Sequence, residues 1–402
     1  MLRILHLQTP QAAEAELKRI GTDPAGIARM LPKLDFKPIL VKNLAAAAAN
    51  IVKQDMLSLG GDAAVARGTV NCSIKTTDLL LIANQRQLTR LCRKLKSQPF
   101  GLAALSKELQ NLLDTQNHPH NYWQTSRRKL LLDKPLVMGI LNLTPDSFSD
   151  GGCFNSLDKA MAHALRMEDE GADIIDIGAE STRPGAAQVS AKEELSRLLP
   201  VLELLSSRLQ IPVSVDIWKA SVADAACAAG AEIINDISGF TFDPDMATTI
   251  SRHKAGTVLM HTRGTPQTMQ MNTSYDDLMG ELVSLLSSSA QKAIDAGIAP
   301  EQIVLDPGIG FAKNLDGNLE ILRRLKELTS IGYPIMVGCS RKAFIGTVLD
   351  KKEPGERIFG TAAAVAMAVA SGAKILRVHD VAAMSEVVRM ASAICKPDFV
   401  SG

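Results

Sequence analysis

The sequence predicts an α/β protein, a (β/α)8 TIM barrel preceded by a small α/β domain. From about residue 136 onward, short apolar segments alternate with polar or glycine-rich loops and amphipathic helices. Strands that helices cover on both faces have such nearly continuous apolar sequences. The pattern occurs eight times in about 265 residues, which is the usual size of this barrel.

The predicted barrel strands are, in chain order, 136–143 (LVMGILNL), 172–179 (ADIIDIGA), 212–217 (PVSVDI), 232–238 (EIINDIS), 256–262 (GTVLMHT), 302–308 (QIVLDPG), 334–340 (PIMVGCS) and 374–380 (KILRVHD). A doubly wound open sheet is the alternative fold. Such sheets more commonly have about five to seven strands, and no G-x-G-x-x-G turn follows the first strand here.

The first 118 residues differ from the barrel pattern and predict a separate small α/β domain of unassigned role. Segments 2–7, 37–43 and 77–84 have the composition of strands, and segments 44–59, 85–98 and 102–113 that of helices. A polar stretch follows, which predicts a linker over 119–133. The barrel domain is then expected to occupy residues 134–402.

The composition of the 402 residues, 46% apolar and 22% charged, is typical of a globular protein with a large core. The formal net charge of +1 gives no reason to expect nucleic acid or a membrane as a partner. No apolar run reaches the roughly 18 residues that span a bilayer. The six cysteines are scattered, without the spacing of a zinc site or disulfide framework, which favours a cytoplasmic location.

Polar residues stand at or just after the ends of the predicted barrel strands, where the functional residues of such barrels converge. These candidates are Asn142, Thr182, Arg183, Asp216, Asn235, Asp236, Met260, His261, Asp306, Ser340, Arg341, Lys342, Arg377 and His379. Any one polar residue taken alone could instead be a helix N-cap. Carboxylates and an amide together suit a flat heterocycle such as a pterin or purine. The cationic groups suit phosphate or pyrophosphate, and the amide oxygen of Asn142 is compatible with Mg²⁺.

The motifs MGILNLTPDSFSDGG, IIDIGAESTRPGA, SVD, IIND, LDPGIGFAKN, GCSRK and LRVHDV are similar, in order and spacing, to those of the dihydropteroate synthase family. The resemblance covers about residues 134–396 and implies a TIM barrel. It also implies a transferase that joins 6-hydroxymethyl-7,8-dihydropterin pyrophosphate to 4-aminobenzoate in folate biosynthesis. It further implies Mg²⁺ and a homodimer, for which the apolar segment 359–372 is a candidate contact.

The resemblance also implies roles for single residues. Asp216, Asn235, Asp306 and Lys342 match positions that bind the pterin ring, and Arg377 matches the residue that packs on it. Asn142 and His379 match the pyrophosphate and Mg²⁺ site. Phe311 and Ser340 match the aminobenzoate subsite. Two mobile loops are implied, one with Asp146, Phe148 and Ser149 and one with Thr182, Arg183 and Pro184. Asp216, Lys342, Arg377 and His379 are the implied catalytic residues.

Two other functions fit a pterin-binding barrel. One is a methyltransferase that uses a methylated reduced folate, and the other is a non-catalytic pterin-binding module. The former needs neither a pyrophosphate clamp nor an aminobenzoate site, so the motifs STRPG, SRK and RVHD together favour the synthase. The chain departs from the family at Ile217 and Trp218, which affects only a minor contact near the pterin.

Overall fold

In the computed structural model, the described residues are 2–7, 9–143, 153–180 and 188–395, and for 153–156 only the backbone is described. The chain divides into two compact units, Met1–His118 and Pro119–Gly402. No helix among the described residues is long and apolar enough to cross a membrane.

The first unit contains a three-stranded antiparallel sheet in the order β1-β3-β2. Its elements are α1 (Pro10–Arg19), α2 (Pro24–Leu34), β1 (Phe36–Ala45), α3 (Ala46–Ser58), β2 (Asp62–Val65), β3 (Thr76–Asn84), α4 (Gln85–Leu95) and α5 (Leu102–Asn117). Alternate residues of β3 are buried, as expected for a strand with one face against helices. Its buried residues share a core with α3, α4 and α5.

The prediction of a strand over 2–7 is wrong, because this segment pairs with no strand and exposes Leu2 and Ile4 almost completely. Alternating apolar residues form a strand only when a sheet edge accepts their backbone hydrogen bonds. The real third strand is β2, a short edge strand whose sequence DAAV has low strand propensity. The sequence pattern therefore gave no signal for it.

The second unit is a barrel of eight parallel strands, which confirms the predicted fold class. The strands are β6 (Leu136–Asn142), β7 (Ile174–Gly178), β8 (Val213–Asp216), β9 (Ile233–Asp236), β10 (Gly256–Met260), β11 (Ile303–Asp306), β12 (Met336–Val337) and β13 (Ile375–Val378). Each strand pairs with its neighbours in parallel, and a single bridge between Leu305 and Ile335 joins the two ends of the sheet.

Helices follow the strands and cover the outside of the barrel. They are α6 (Cys153–Asp169), α7 (Ala191–Arg208), α8 (Ala220–Ala228), α9 (Met246–His253), α10 (Leu278–Asp295), α11 (Leu315–Arg324), α12 (Ala343–Leu349), α13 (Ile358–Ala370) and α14 (Val381–Cys395). The largest apolar cluster of the chain lies between these helices and the strands.

A two-stranded hairpin, β4 (Tyr122–Gln124) and β5 (Lys129–Leu131), lies within the segment 119–133 that the sequence suggests is a linker. Trp123 of this hairpin is fully buried against the interior residues of the barrel strands, and its Nε1 donates to the carbonyl oxygen of Gln302 at 2.9 Å. The Thr125 hydroxyl donates to Glu232 at 2.8 Å. Since this hairpin contacts the residues at the strand starts, the space for a ligand is at the opposite, C-terminal ends.

Candidate active site

The C-terminal ends of the barrel strands bring polar side chains together around one cavity. The lining residues are Asp216, Asn235, Ile237, Met260, Asp306, Ile309, Phe311, Met336, Gly338, Lys342 and Arg377. Parallel strands all end on the same rim, so residues far apart in the sequence meet there.

Arg377 lies between two buried aspartates. Its Nε donates to Oδ2 of Asp176 at 2.6 Å, and its Nη2 donates to Oδ2 of Asp216 at 2.7 Å. The amide of Asn235 donates to the same Asp176 oxygen at 3.2 Å. Charge-assisted hydrogen bonds of this kind hold a guanidinium in one orientation. The arrangement therefore places Arg377 beside the cavity with little freedom to move.

Asp216 has one carboxylate oxygen to spare. Its Oδ1 is buried and has no hydrogen-bond partner among the described residues. Burial raises the pKa of Asp216 above its ordinary value, although the Arg377 guanidinium opposes the shift. A buried acceptor without a donor is costly, and native proteins seldom leave one unpaired without a functional reason. The residue is therefore suited to accept a hydrogen bond from a ligand in the cavity.

Lys342 and Phe311 lie on another part of the cavity wall. The Lys342 Nζ is 4.3 Å from the centroid of the Phe311 ring, the distance of a cation–π contact. Burial lowers the pKa of Lys342 to about 8, the positive charge of Arg377 adds to this effect, and the nearby aspartates oppose it. Asp306, on the same wall, accepts the backbone N–H of Gly308 at 2.7 Å, and burial raises its pKa.

His379, Ser340 and Asn142 form a neighbouring polar group at the ends of β13, β12 and β6. The backbone N–H of His379 donates to the Ser340 hydroxyl at 3.1 Å, and the imidazole Nδ1 lies 3.0 Å from the same oxygen. Burial and the nearby arginines lower the pKa of His379 to about 3, so its ring is neutral. Asn142 is exposed, and with His379 it lines a second cavity that also contacts Lys159 and Arg166.

The structure therefore places seven of the candidates around one cavity: Asp216, Asn235, Met260, Asp306, Phe311, Lys342 and Arg377. Asn142, Ser340 and His379 are in the adjacent group. Six candidates lie outside the described residues: Asp146, Phe148, Ser149, Thr182, Arg183 and Pro184. Within the described ranges, no cluster of three or more His, Cys, Asp or Glu residues could hold a metal ion.

Two buried charged residues of this region were not among the sequence candidates. Asp176 accepts from Arg377 and is fully buried, and its signal was a single carboxylate inside the apolar segment IIDIGA. Lys313 is also buried, and it bonds to backbone carbonyl oxygens of the loop that carries Phe311. In the sequence, Lys313 follows the loop after β11 and stands next to the N-cap of α11, and nothing in that position suggests a functional residue.

Comparisons with known proteins agree with this geometry. Residues 138–379 match the model of the family described as pterin binding enzyme. The dihydropteroate synthase of Synechocystis is 53% identical over 258 residues, which are 64% of this chain and 89% of that protein. A solved dihydropteroate synthase of Clostridium difficile, determined in the presence of pteroic acid, is 46% identical with a TM-score of 0.62. The match covers 65% of this chain and 97% of the Clostridium difficile chain.

One relative also matches the first unit. A probable bifunctional folylpolyglutamate synthase/dihydropteroate synthase of Halobacterium salinarum is 39% identical over 384 residues, or 95% of this chain. The match spans 46% of that longer protein. Residues 1–118 are thus similar to part of a relative whose name includes a second activity.

Proposed function

The chain belongs to the dihydropteroate synthase family of pterin-binding enzymes, and from this premise we propose how its residues perform the family's reaction. It is a dihydropteroate synthase, a transferase of folate biosynthesis. It condenses 6-hydroxymethyl-7,8-dihydropterin pyrophosphate with 4-aminobenzoate and releases 7,8-dihydropteroate and pyrophosphate. The observation that best supports a pterin ligand is the buried, unpaired Oδ1 of Asp216 on the wall of the cavity.

The pterin ring is proposed to lie in the cavity between Asp216, Asn235, Asp306 and Lys342. A pterin carries N–H donors and ring acceptors on its edge, which match two carboxylates, an amide and an ammonium. Arg377, held by Asp176 and Asp216, packs against the ring. Met260 provides apolar contact on the cavity wall. Phe311 and Ser340 are proposed to border the aminobenzoate, because Phe311 lines the cavity and Ser340 is two residues before Lys342, which lines it as well.

The diphosphate is proposed to lie near Asn142 and His379. Neutral His379 can donate one N–H to a phosphate oxygen without the cost of a buried charge. Lys159, Arg166 and Arg341 line the same cavity and exceed in number its two carboxylates, Glu170 and Asp380, each of which is ion-paired with one of the arginines. The exposed amide oxygen of Asn142 fits Mg²⁺, which usually takes one or two protein oxygens and completes its shell with water and substrate phosphates. When bound, the ion would neutralise charge on the leaving diphosphate.

In the reaction, the C–O bond between the pterin methylene and the diphosphate breaks and a C–N bond to the aminobenzoate nitrogen forms. Positive charge that develops on the methylene spreads into the pterin ring, where the Asp216 and Asp306 carboxylates stabilise it. Arg377 and His379 stabilise the oxygen that departs with the bonding electrons. The aniline nitrogen is already nucleophilic and loses its proton after attack, so no strong general base and no covalent enzyme intermediate are required.

Two further properties belong to the same proposal. A homodimer through α13 and α14 is supported by exposed apolar residues on these helices, including Phe359, Met367 and Met390. Clusters of exposed apolar residues mark contact sites more often than single exposed apolar residues do. A cytoplasmic location is supported by cysteines without a disulfide pattern in the sequence.

A direct turnover assay tests the function. The purified chain should convert the pterin pyrophosphate and 4-aminobenzoate into dihydropteroate in the presence of Mg²⁺. Asp216→Ala and Lys342→Ala should each lower turnover by about 100-fold or more, because the first removes a carboxylate that stabilises the developing positive charge and the second removes an ammonium that binds and orients the pterin ring. The exposed Asp169→Ala and Lys326→Ala should match the wild type. Methyl transfer from a methylated folate, with no dihydropteroate, would contradict the proposal and favour the methyltransferase.

A further inference from the structure

Lys313 is a buried lysine behind the loop that carries Phe311. Only 3% of the residue is exposed. Its Nζ lies 2.8 Å from the carbonyl oxygen of Phe311, 3.1 Å from that of Gly308 and 3.0 Å from the imidazole Nδ1 of His261. An ammonium has three N–H donors, and three acceptors stand within hydrogen-bond distance. All of its hydrogen bonds thus go to the protein, and none of these partners belongs to a neighbouring helix.

His261, the residue directly after β10, links Lys313 to the strand that lies beside β11. Its side chain is fully buried, and burial lowers its pKa to about 3, so the ring is neutral. If Nδ1 accepts from Lys313, the proton is on Nε2, which lies 3.7 Å from the Glu281 carboxylate. At that distance Nε2 makes no hydrogen bond within the described residues, so the contact with Lys313 is the one that joins the His261 ring to the loop.

The loop 307–313 depends on such contacts because it has no regular secondary structure. The hydroxyl of Tyr275 donates to the carbonyl oxygen of Ala312 at 2.9 Å, and Ala312 has a positive φ of 52° that is unfavourable for a residue with a Cβ. A Cβ on Gly308 would lie 2.0 Å from the His261 carbonyl oxygen, so only glycine fits there. The backbone conformation of the loop is thus unusual, and hydrogen bonds from the Lys313 and Tyr275 side chains to its carbonyl oxygens maintain it.

Phe311 and Asp306 depend on Lys313 to different degrees. Asp306 is the last residue of β11 and is paired with Met260 of β10, so strand pairing holds its backbone, and only its carboxylate contacts the loop, through the N–H of Gly308. Phe311 lies five positions further on, where the Lys313 ammonium bonds directly to its carbonyl oxygen. Loss of the ammonium would leave that carbonyl oxygen and the buried one of Gly308 without this donor. The Phe311 ring should therefore move more than the Asp306 carboxylate.

We propose that Lys313 is a positioning residue for the second substrate: it holds the loop 307–313 so that the Phe311 ring forms the wall against which 4-aminobenzoate binds. Lys313 itself touches neither substrate. This inference rests on the proposed function, in which Phe311 borders the aminobenzoate. It goes beyond that function because it assigns binding of one substrate, and not the other, to a buried residue outside the cavity.

The test is a comparison of the two Michaelis constants. In Lys313→Met, a neutral chain of similar length, the KM for 4-aminobenzoate should rise about tenfold or more, as expected when two carbonyl oxygens and an imidazole nitrogen lose the same donor. The KM for the pterin pyrophosphate should change less than about twofold, because strand pairing still holds Asp306. A merely structural loss would lower the amount of active enzyme and so reduce kcat, without separating the two constants.

Tyr275→Phe keeps the test decisive if Lys313→Met does not fold, because it removes only the hydroxyl that holds Ala312. It should raise the KM for 4-aminobenzoate by about two- to fivefold, as expected for one neutral hydrogen bond, and leave the other KM unchanged. Lys326→Met, on an exposed lysine, is the control and should match the wild type.

The role of Lys313 is contradicted if an active wild type and either variant show equal changes in both constants, or no change in either. A wild-type chain that forms no dihydropteroate would instead contradict the proposed function itself. The two failures are therefore distinguishable in the same set of assays.

Discussion

Arg377 illustrates how single residues are arranged in this barrel. Its guanidinium bonds to Asp176 and Asp216, which lie on neighbouring strands β7 and β8. Each carboxylate uses one oxygen for Arg377 and leaves the other, Oδ1, without a partner among the described residues. Buried charges are stable only when they are paired. Arg377 therefore allows two carboxylates to be buried close together, and Asp216, the one that lines the cavity, keeps an acceptor for a ligand.

The charge of Lys342 should set the alkaline limit of activity. Because burial lowers its pKa to about 8, Lys342 carries its charge below that pH and loses it above. Turnover of the wild type should therefore decline as the pH rises through about 8. A pH profile of kcat/KM for the pterin pyrophosphate measures this decline. Lys342→Arg is the matched variant, since a guanidinium stays charged over this range.

Lys342→Arg should be less active than the wild type at neutral pH, but its remaining activity should not decline near pH 8. Lys313, whose pKa burial lowers to about 7, is present in both proteins and cannot cause a difference between them. The same alkaline decline in both would show that another group is responsible.

At this scale the sequence predicts part of the site. Asp216, Asn235 and Asp306 could be located because each ends or nearly ends an apolar strand, and such ends converge. Asp176 precedes the end of β7 by two residues, and only the pairing of neighbouring strands brings it to Arg377. Lys313 acts through three contacts with loop residues and His261, which no local pattern encodes.

Among the elements, the hairpin of β4 and β5 has the most distinct role. It is a short antiparallel pair, and such a pair is rarely stable alone in water. Its stability comes from Trp123, which packs against Leu136, Ile233 and other interior residues of the barrel. The hairpin thus belongs to the core of the barrel although it precedes the first barrel strand.

Trp123→Ala should lower the free energy of unfolding by about 3 to 5 kcal/mol, the usual cost of removing a large buried aromatic side chain. The lost hydrogen bond from Nε1 to Gln302 adds to this loss. Chemical denaturation followed by circular dichroism measures the change. Tyr122→Ala, at the adjacent and only partly buried position, is the control and should cost much less. Equal losses in the two variants would mean that Trp123 has no special role.

The elements also show where sequence patterns are informative. All eight barrel strands could be recognised because strands buried on both faces have unmistakably apolar sequences. The hairpin could not, because YWQ and KLL are three residues each and polar residues surround them. Segment 2–7 has a strand-like composition, but it could form a strand only if the folded chain offered a sheet edge for it to pair with.

As a whole, the molecule combines two units of different composition and size. The residues of the proposed site all belong to the second unit, Pro119–Gly402. A chain of residues 119–402 should therefore fold and keep at least about half of the wild-type turnover, because it retains its own core and the Trp123 hairpin. A shorter chain that begins at residue 126 also lacks Trp123. Comparing the two chains separates the contribution of the hairpin from that of residues 1–118. Loss of activity in the 119–402 chain would assign residues 1–118 a part in catalysis.

The proposed homodimer makes a separate prediction. Phe359 on α13 is 84% exposed, and introducing a charge there should separate the two copies. Phe359→Glu should sediment as a monomer in analytical ultracentrifugation at concentrations where the wild type is a dimer. Leu285→Glu places the same charge at an exposed apolar residue of α10 and should remain a dimer. A dimeric Phe359→Glu would place the contact elsewhere.

The spare oxygen of Asp216 has a thermodynamic consequence for the whole molecule. The cavity exists only in the folded chain, so a compound that donates a hydrogen bond to this oxygen stabilises the folded state relative to the unfolded one. Heating experiments should then rank heterocycles by how far they raise the melting temperature, even before any turnover is measured. Ring compounds that lack an N–H at the matching edge should shift it least.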